Sequence, residues 1–361
     1  MPESGANIAR TDPAVALQEL SETVRAAASA RMSLRIVGSD SKQKWWRTRA
    51  VSRLDMRPYR GIVAYEPSEL VLTARTGTPL AEIESTLAAS GQMLGFEPPH
   101  TGPDATLGGA IAAGFAGPAR PYRGGVRDFM LGVSLLNDAG EVLKFGGRVM
   151  KNVAGYDVSR LVSGAWGRLG PLLEVSLSVV PAPAITTSIA WRCEAGEALA
   201  RATEFARQPY PITALAYDGV ELHMRLAGAE RAVAASIAKL QPPLRNDEAN
   251  DWANDWAYWR DFSHPHFSSA ETLWRVVVPP ATPLLTIPGF TWWDWGGALR
   301  WVRSNAAAEA IQTAVGRVGG HASCWSEPRA TGGQVDPLGA LEIRVRQSFD
   351  PLNLFNPSME S

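Results

Sequence analysis

The sequence predicts an α+β chain of two domains, and three observations carry that expectation. Helix and strand patterns alternate through the first half. A run rich in Gly and Pro, without periodicity, interrupts them from Gly95 to Gly132. Composition then changes at Pro181 to Pro183, beyond which most of the 13 Trp fall. A chain of 361 residues also exceeds one ordinary domain.

The elements follow in order. Asp12 and Pro13 read as an N-cap and first helical residue, and Val15, Leu17, Leu20 and Val24 continue an Ala-rich helix to about Ala30. Leu34 to Val37 is a short strand ending at Gly38; Gly61 to Ala64 and Val71 to Ala74 are two more. Thr78-Pro79 caps a second helix with Leu80, Ile83 and Leu87 on one face and Gly91 as its stop. Gly95 to Gly132 reads as a long structureless loop, which inside a compact domain is usually functional. Leu131 to Leu136 and Glu141 to Phe145 form a hairpin across Asp138-Ala139-Gly140. Leu173, Val175, Leu177 and Val179 alternate with Glu174, Ser176 and Ser178, the pattern of a half-buried strand. Later helices are expected at Ala229 to Leu240 and Ser304 to Val318, with Asn246 to Asn254 a polar loop.

Composition removes several function classes. Lys and Arg number 35 against 36 Asp and Glu, so no basic excess exists to hold nucleic acid. The two cysteines, Cys193 and Cys324, form no C-x-x-C pair, which disfavours a disulfide framework, a structural zinc and a Cys-bound iron–sulfur cluster in this chain. No metal site is expected. His264-Pro265-His266 is the only close His pair and a weak metal signal. With no apolar run at the start and no apolar stretch of about 18 residues, the expected compartment is the cytoplasm.

Gly is abundant at 33 residues and Pro at 26, and three Gly-rich clusters stand out. The first is Gly38-Ser39-Asp40-Ser41-Lys42, directly after a strand. The second runs from Pro98-Pro99-His100 through Thr106-Leu107-Gly108-Gly109. The third is Lys151-Asn152-Val153-Ala154-Gly155, followed by Gly164, Gly167 and Gly170. Such clusters expose several N–H groups to one pyrophosphate, with no side chains in the way. Each alone also reads as a turn. No G-x-G-x-x-G follows a strand and no G-x-x-x-x-G-K-[ST] is present, so neither a Rossmann site nor a P-loop is supported.

The run Val149-Met150-Lys151-Asn152-Val153-Ala154-Gly155-Tyr156-Asp157 resembles the FAD-binding subunit of bacterial glycolate oxidase (glycolate dehydrogenase). So do Glu97-Pro98-Pro99-His100, Ala105-Thr106-Leu107-Gly108-Gly109, Asp294-Trp295-Gly296-Gly297, Gly319-Gly320-His321-Ala322 and the tail Asp350-Pro351 to Asn356-Pro357. The resemblance implies the FAD-binding superfamily of vanillyl-alcohol oxidase and D-lactate dehydrogenase. It implies a two-subdomain FAD-binding domain over 1–181, a smaller α+β cap-like domain over 182–335, and a tail, 336–361, returning to the flavin domain. FAD would be held non-covalently, since no His lies between Gly38 and Lys42. Its pyrophosphate would rest on Gly38 to Lys42 and on Thr106-Leu107-Gly108-Gly109, with Pro98, Gly155, Gly164, Gly167, Gly170 and Asn356 completing the site. Ser39 and Asp40 replace family glycines, and a carboxylate at Asp40 costs Coulomb energy beside a diphosphate unless it points away.

The same resemblance implies oxidation of glycolate, a 2-hydroxy acid, to glyoxylate. The partners would be a larger FAD-containing subunit, with the substrate site on it or on this chain, and an iron–sulfur subunit that takes the electrons; through such partners the complex would lie peripherally at the inner membrane. Two alternatives stay open: a flavin-poor assembly subunit of that complex, and a stand-alone FAD-dependent 2-hydroxy-acid dehydrogenase. Such oxidation calls for a base near neutral pH and an Arg for the carboxylate. His321 and Arg300 are the weak candidates. His321 also fits a turn, and Arg300 also fits a stack on Trp301.

Overall fold

The computed structural model describes residues 12–46, 48–50, 52–147, 156–241, 252–268, 271–326 and 339–358. The chain divides into two compact units. One takes in Met1–Phe115, Gly125–Pro181 and Arg329–Ser361; the other takes in Ala116–Gly124 and Ala182–Pro328. Among the described residues no helix is long and apolar enough to cross a membrane.

The strands of the first unit are β1 (Leu34–Val37), β2 (Ser52–Asp55), β3 (Ile62–Glu66), β4 (Val71–Arg75), β5 (Gln92–Met93), β6 (Met130–Leu136), β7 (Val142–Gly146), β8 (Leu172–Ser178) and β9 (Val180–Pro181). β1 and β2 pair in parallel, β5 pairs with β9, and the rest form an antiparallel sheet in the order β3-β4-β8-β6-β7. β8 is thus an inner strand, which explains why its alternation is not half-exposed. Ser176 is buried and meets Thr73 Oγ1 across the β4 pair at 2.9 Å. The first helix, Pro13–Ser29, starts where Asp12 accepts a hydrogen bond from the Ala14 amide at 2.8 Å. It lays Ala16, Leu20, Val24 and Ala27 against Leu34, Leu54, Leu136, Leu173 and Phe355, so the tail shares this core.

Two local expectations are corrected. Thr78 does not cap the helix Leu80–Ala88; its hydroxyl accepts from the Gly61 amide and donates to the Arg75 carbonyl. The run from Gly95 to Gly132 is not structureless. It holds the helices Leu107–Ala113, Arg120–Arg123 and Val126–Phe129, too short to leave a periodic signature.

The second unit holds β10 (Ile185–Arg192), β11 (Ile212–Tyr217), β12 (Glu221–Gly228), β13 (Leu273–Val277), β14 (Phe290–Asp294), β15 (Leu299–Arg303) and β16 (His321–Cys324). They form one antiparallel sheet in the order β10-β12-β11-β14-β15-β13-β16. The β13 alternation sends Trp274 and Val276 to Ile311 and Val315 of the helix Ala308–Gly316. It sends Leu273 and Val277 to a Trp cluster of Trp256, Trp259, Trp292 and Trp301. Residues 246–251 of the expected polar loop lie outside the described residues, and Trp252–Arg260 is helical. The segment Ala116–Gly124, expected in the first domain, belongs to the second unit. There the Trp295 indole donates to the Gly117 carbonyl at 3.2 Å.

Candidate functional site

A pocket in the first unit opens where β1 ends. It encloses about 830 Å³ of empty space, including the open solvent at its mouth, and is lined by Gly38, Ser39, Asp40, Ser41, Lys42, Thr106, Gly108, Gly109, Gly167 and Asn356 among others. Gly38 lets β1 pass close to the next wall, since a Cβ there would meet Thr106 Oγ1 at 2.2 Å. Asp40 takes a left-handed conformation, φ +62, which Asp tolerates better than most residues. Its carboxylate is held by the Arg35 guanidinium, so its charge is neutralised inside the loop and its Coulomb cost is removed.

The four main-chain N–H groups from Ser39 to Lys42 have no protein acceptor among the described residues. Beside them lies Lys42, whose Nζ donates to Thr101 Oγ1 at 3.0 Å. The side chain is 9% exposed, and among the described residues no carboxylate pairs with it. Burial alone pushes its ammonium down to about 8. Ser41 Oγ sits 2.7 Å from the same Thr101 hydroxyl.

Three of the expected amide donors are already spent. The Leu107 N–H donates to the Thr78 carbonyl at 2.9 Å and the Gly108 N–H to the Thr76 carbonyl at 2.8 Å. The Gly109 N–H goes to Thr106 Oγ1 at 3.2 Å, the N-cap of the helix Leu107–Ala113. These glycines therefore act by clearance. A Cβ on Gly108 would sit 2.7 Å from Thr76 Cβ, and one on Gly109 would sit 3.3 Å from Thr106 Oγ1 and 3.8 Å from Lys42 Nζ.

Aromatic side chains, which sequence reading placed in the second half, also build this site. Trp46 and Trp166 line the pocket and stack at 5.7 Å with 12° between planes. Trp46 Nε1 is buried with no acceptor among the described residues. Asn356 reaches the pocket from the tail but spends its groups on the protein. Its Oδ1 accepts from the Ile36 amide at 2.8 Å, and its Nδ2 donates to the Trp166 carbonyl at 2.7 Å. Asp350 shapes the turn before it by accepting from the Leu354 and Phe355 amides.

The remaining expected residues lie elsewhere. Pro98 and Leu107 are buried off the pocket wall. Gly164 backs the helix Leu107–Ala113, its amide donating to the Ile111 carbonyl at 3.1 Å. Gly170 turns at φ +125 against the Leu136 carbonyl. Gly155, with Lys151 and Asn152, falls outside the described residues. Arg300 is 1% exposed, and its guanidinium donates to the carbonyls of Gly297, Pro283 and Thr282, a buried structural clamp. Arg300→Met would strand these carbonyls; a loss of roughly 3 kcal/mol is expected in thermal unfolding. His321 is exposed on β16. His266 bonds through its ring Nε2 to the Asp218 carbonyl at 2.7 Å and packs against the tilted ring of His264. Among the described residues no metal-binding group of three or more His, Cys, Asp or Glu comes together.

The pocket's unspent donors are four amides, a buried ammonium and an indole N–H, all neutral or positive. That set suits a diphosphate bearing an aromatic base. Residues 15–146 match the FAD binding domain family. Over 347 residues the chain is 44% identical to the glycolate oxidase subunit GlcE of Escherichia coli (strain K12), covering 94% of this chain and 96% of that one. The chain belongs to the GlcE family of glycolate oxidase subunits. It is a flavoprotein of the oxidoreductase class, and its cofactor is FAD. The glycolate oxidase subunit GlcD of Bacillus subtilis (strain 168) is 31% identical over 119 residues, 33% of this chain and 25% of that one. A D-lactate dehydrogenase of Anaerostipes hadrus is 30% identical over 129 residues, 36% of this chain and 26% of that one. A solved alkyldihydroxyacetonephosphate synthase superposes with a TM-score of 0.65 at 14% identity, over 94% of this chain and 74% of that one, a likeness of fold. The flavin domain is of the vanillyl-alcohol oxidase type.

Proposed function

We propose that this chain is the FAD-binding subunit of a complex that oxidises glycolate to glyoxylate, with a larger FAD-containing subunit and an iron–sulfur subunit as partners. The observation that carries the reading is Lys42, a buried cation with only a neutral hydroxyl for company, beside four unspent amides. Oxidation of a 2-hydroxy acid removes the hydroxyl proton and a hydride from its carbon; FAD, when bound, supplies the hydride acceptor. This chain's own share is binding. Lys42 and the amides of Ser39 to Lys42 take the diphosphate, Trp46 Nε1 offers one more donor, and Gly109 keeps the approach open. With two cysteines, the chain carries no four-thiolate set, which supports an iron–sulfur centre on another subunit. Complex formation would also bring the chain to the inner membrane through its partners.

Gly109→Asp tests the cradle, since the new carboxylate would lie beside Lys42 and face the diphosphate, and a thermal melt verifies that the variant is folded. Acid extraction is expected to yield FAD from the intact chain and almost none from the variant. Equal FAD in both sinks the cradle. For the reaction, the three-subunit complex should turn glycolate into glyoxylate, trapped as its hydrazone; no product sinks the glycolate reading. A flavin-poor assembly role is favoured by one observation, that the Leu107 and Gly108 amides are already bonded. A colourless chain that still assembles would establish it.

A further inference from the structure

The second unit holds a cationic cluster that the flavin pocket does not use. Arg275 lies on β13, opposite Trp301 of β15 and Ser323 of β16. It therefore faces the Trp side of the sheet. Its guanidinium carbon is 5.4 Å from the centre of the Trp295 ring. Arg120, from the segment Ala116–Gly124, stands 4.4 Å from the same ring. His321 pairs with Val277 on the neighbouring strand, so it shares this face.

Arg275 is the anomaly. Its guanidinium makes no hydrogen bond and no ion pair among the described residues. Arg300 of the same sheet, by contrast, spends its guanidinium on three carbonyls. Burial pushes Arg275 down to about 10, with the Arg120 charge adding to it. Packed proteins pair such charges or leave them out. The nearby Arg120 charge makes the position of Arg275 costlier still, and an anion on the Arg275 guanidinium would offset that cost. His321 is lowered too, by burial first and then by Arg275 and Arg120, so its imidazole is neutral at pH 7 and adds no third charge. Arg275 keeps part of its surface open and His321 is exposed, so a small ligand has access.

We propose that Arg275, seated on Trp295 with Arg120 and His321 nearby, binds the carboxylate of a small 2-hydroxy or 2-oxo acid. The assignment deepens the proposed function and rests on it for the choice of acid. A guanidinium fork takes a carboxylate in two-pronged fashion, and the indole face holds such forks in place through cation–π contact. Arg275 and His321 are separated by 46 positions in sequence, so only the β13–β16 register makes them neighbours.

The test is calorimetric titration of the full FAD-loaded chain with oxalate, a carboxylate that cannot be oxidised in this way, and separately with inorganic phosphate. One oxalate site is expected, weakened at least about tenfold in Arg275→Met and partly restored in Arg275→Lys. Methionine matches the stem of Arg, and the thermal melt and FAD content of each variant verify that it is folded. No oxalate binding, equal binding by Arg275→Met, or phosphate binding as tight as oxalate would each overturn the assignment. Glycolate turnover reads the other question separately. Arg275-dependent oxalate binding without any turnover leaves this site standing and removes the glycolate reading. Turnover with an unchanged KM in a complex built on Arg275→Met removes the site and keeps that reading.

Discussion

Lys42→Met is expected to strip FAD from the chain and, in the same experiment, to raise the melting temperature of the FAD-free protein. Both effects come from one buried ammonium. In the folded chain it sits at about 8, against an ordinary 10.5, because burial disfavours its charge. Between those two values the unfolded chain binds more protons than the folded one, so stability rises with pH across that window. Below pH 8 both states are charged and the full penalty stands, on the order of 3 kcal/mol. Met fills the space without that penalty, and a rise of several degrees is expected at pH 7. The loss of FAD follows from removing a charge-assisted contact to the diphosphate, an affinity loss of roughly tenfold to a hundredfold. The pH dependence has a definite sign. The free wild-type chain loses its ammonium as pH rises through 8, so its FAD affinity should fall there, while that of Lys42→Met should stay flat. Fluorescence-monitored FAD titration at several pH values, with a parallel thermal melt, reads both. A variant that keeps its FAD, or melts lower, means that Lys42 is not waiting for the diphosphate.

Asn356→Ala is expected to cost both stability and cofactor. Its side chain joins β1 to the Trp166 turn, accepting from the Ile36 amide and donating to the Trp166 carbonyl. Deleting it leaves two part-buried main-chain groups without these partners, a cost of roughly 2 kcal/mol. Asn356→Asp separates the two bonds. It keeps an acceptor for Ile36 and sets a carboxylate against the Trp166 carbonyl, so it should retain part of the stability and lose most of the FAD. Chemical denaturation and acid extraction measure the pair of effects. An unchanged midpoint in Asn356→Ala would mean that the tail does not build this wall.

Much of this protein is legible along the chain. The first helix and its Asp12 cap, the strand before Gly38, the hairpin across Gly140 and the long Trp-rich second half are all local patterns. Periodicity and turn chemistry are short-range, so a sequence displays them directly. The Gly38 to Lys42 loop and the Gly108-Gly109 turn were readable for the same reason, since glycines between elements mark close backbone approach. What each does was not readable. Leu107 and Gly108 look like open donors until Thr78 and Thr76 are found accepting from them. Asp40 looks costly until Arg35 is found holding it. Asn356 looks like a ligand until its partners prove to be Ile36 and Trp166. Arg300 looks like a substrate clamp until three carbonyls occupy it, while Arg275 gave no signal at all. Residue order by itself determined many of the helices, strands and tight turns and, through the family resemblance, that an FAD binding domain was present. Only the tertiary structure decided which donors and charges are spent and which are left for a ligand, because a polar group's partner is set by who lies beside it in space, often hundreds of positions away.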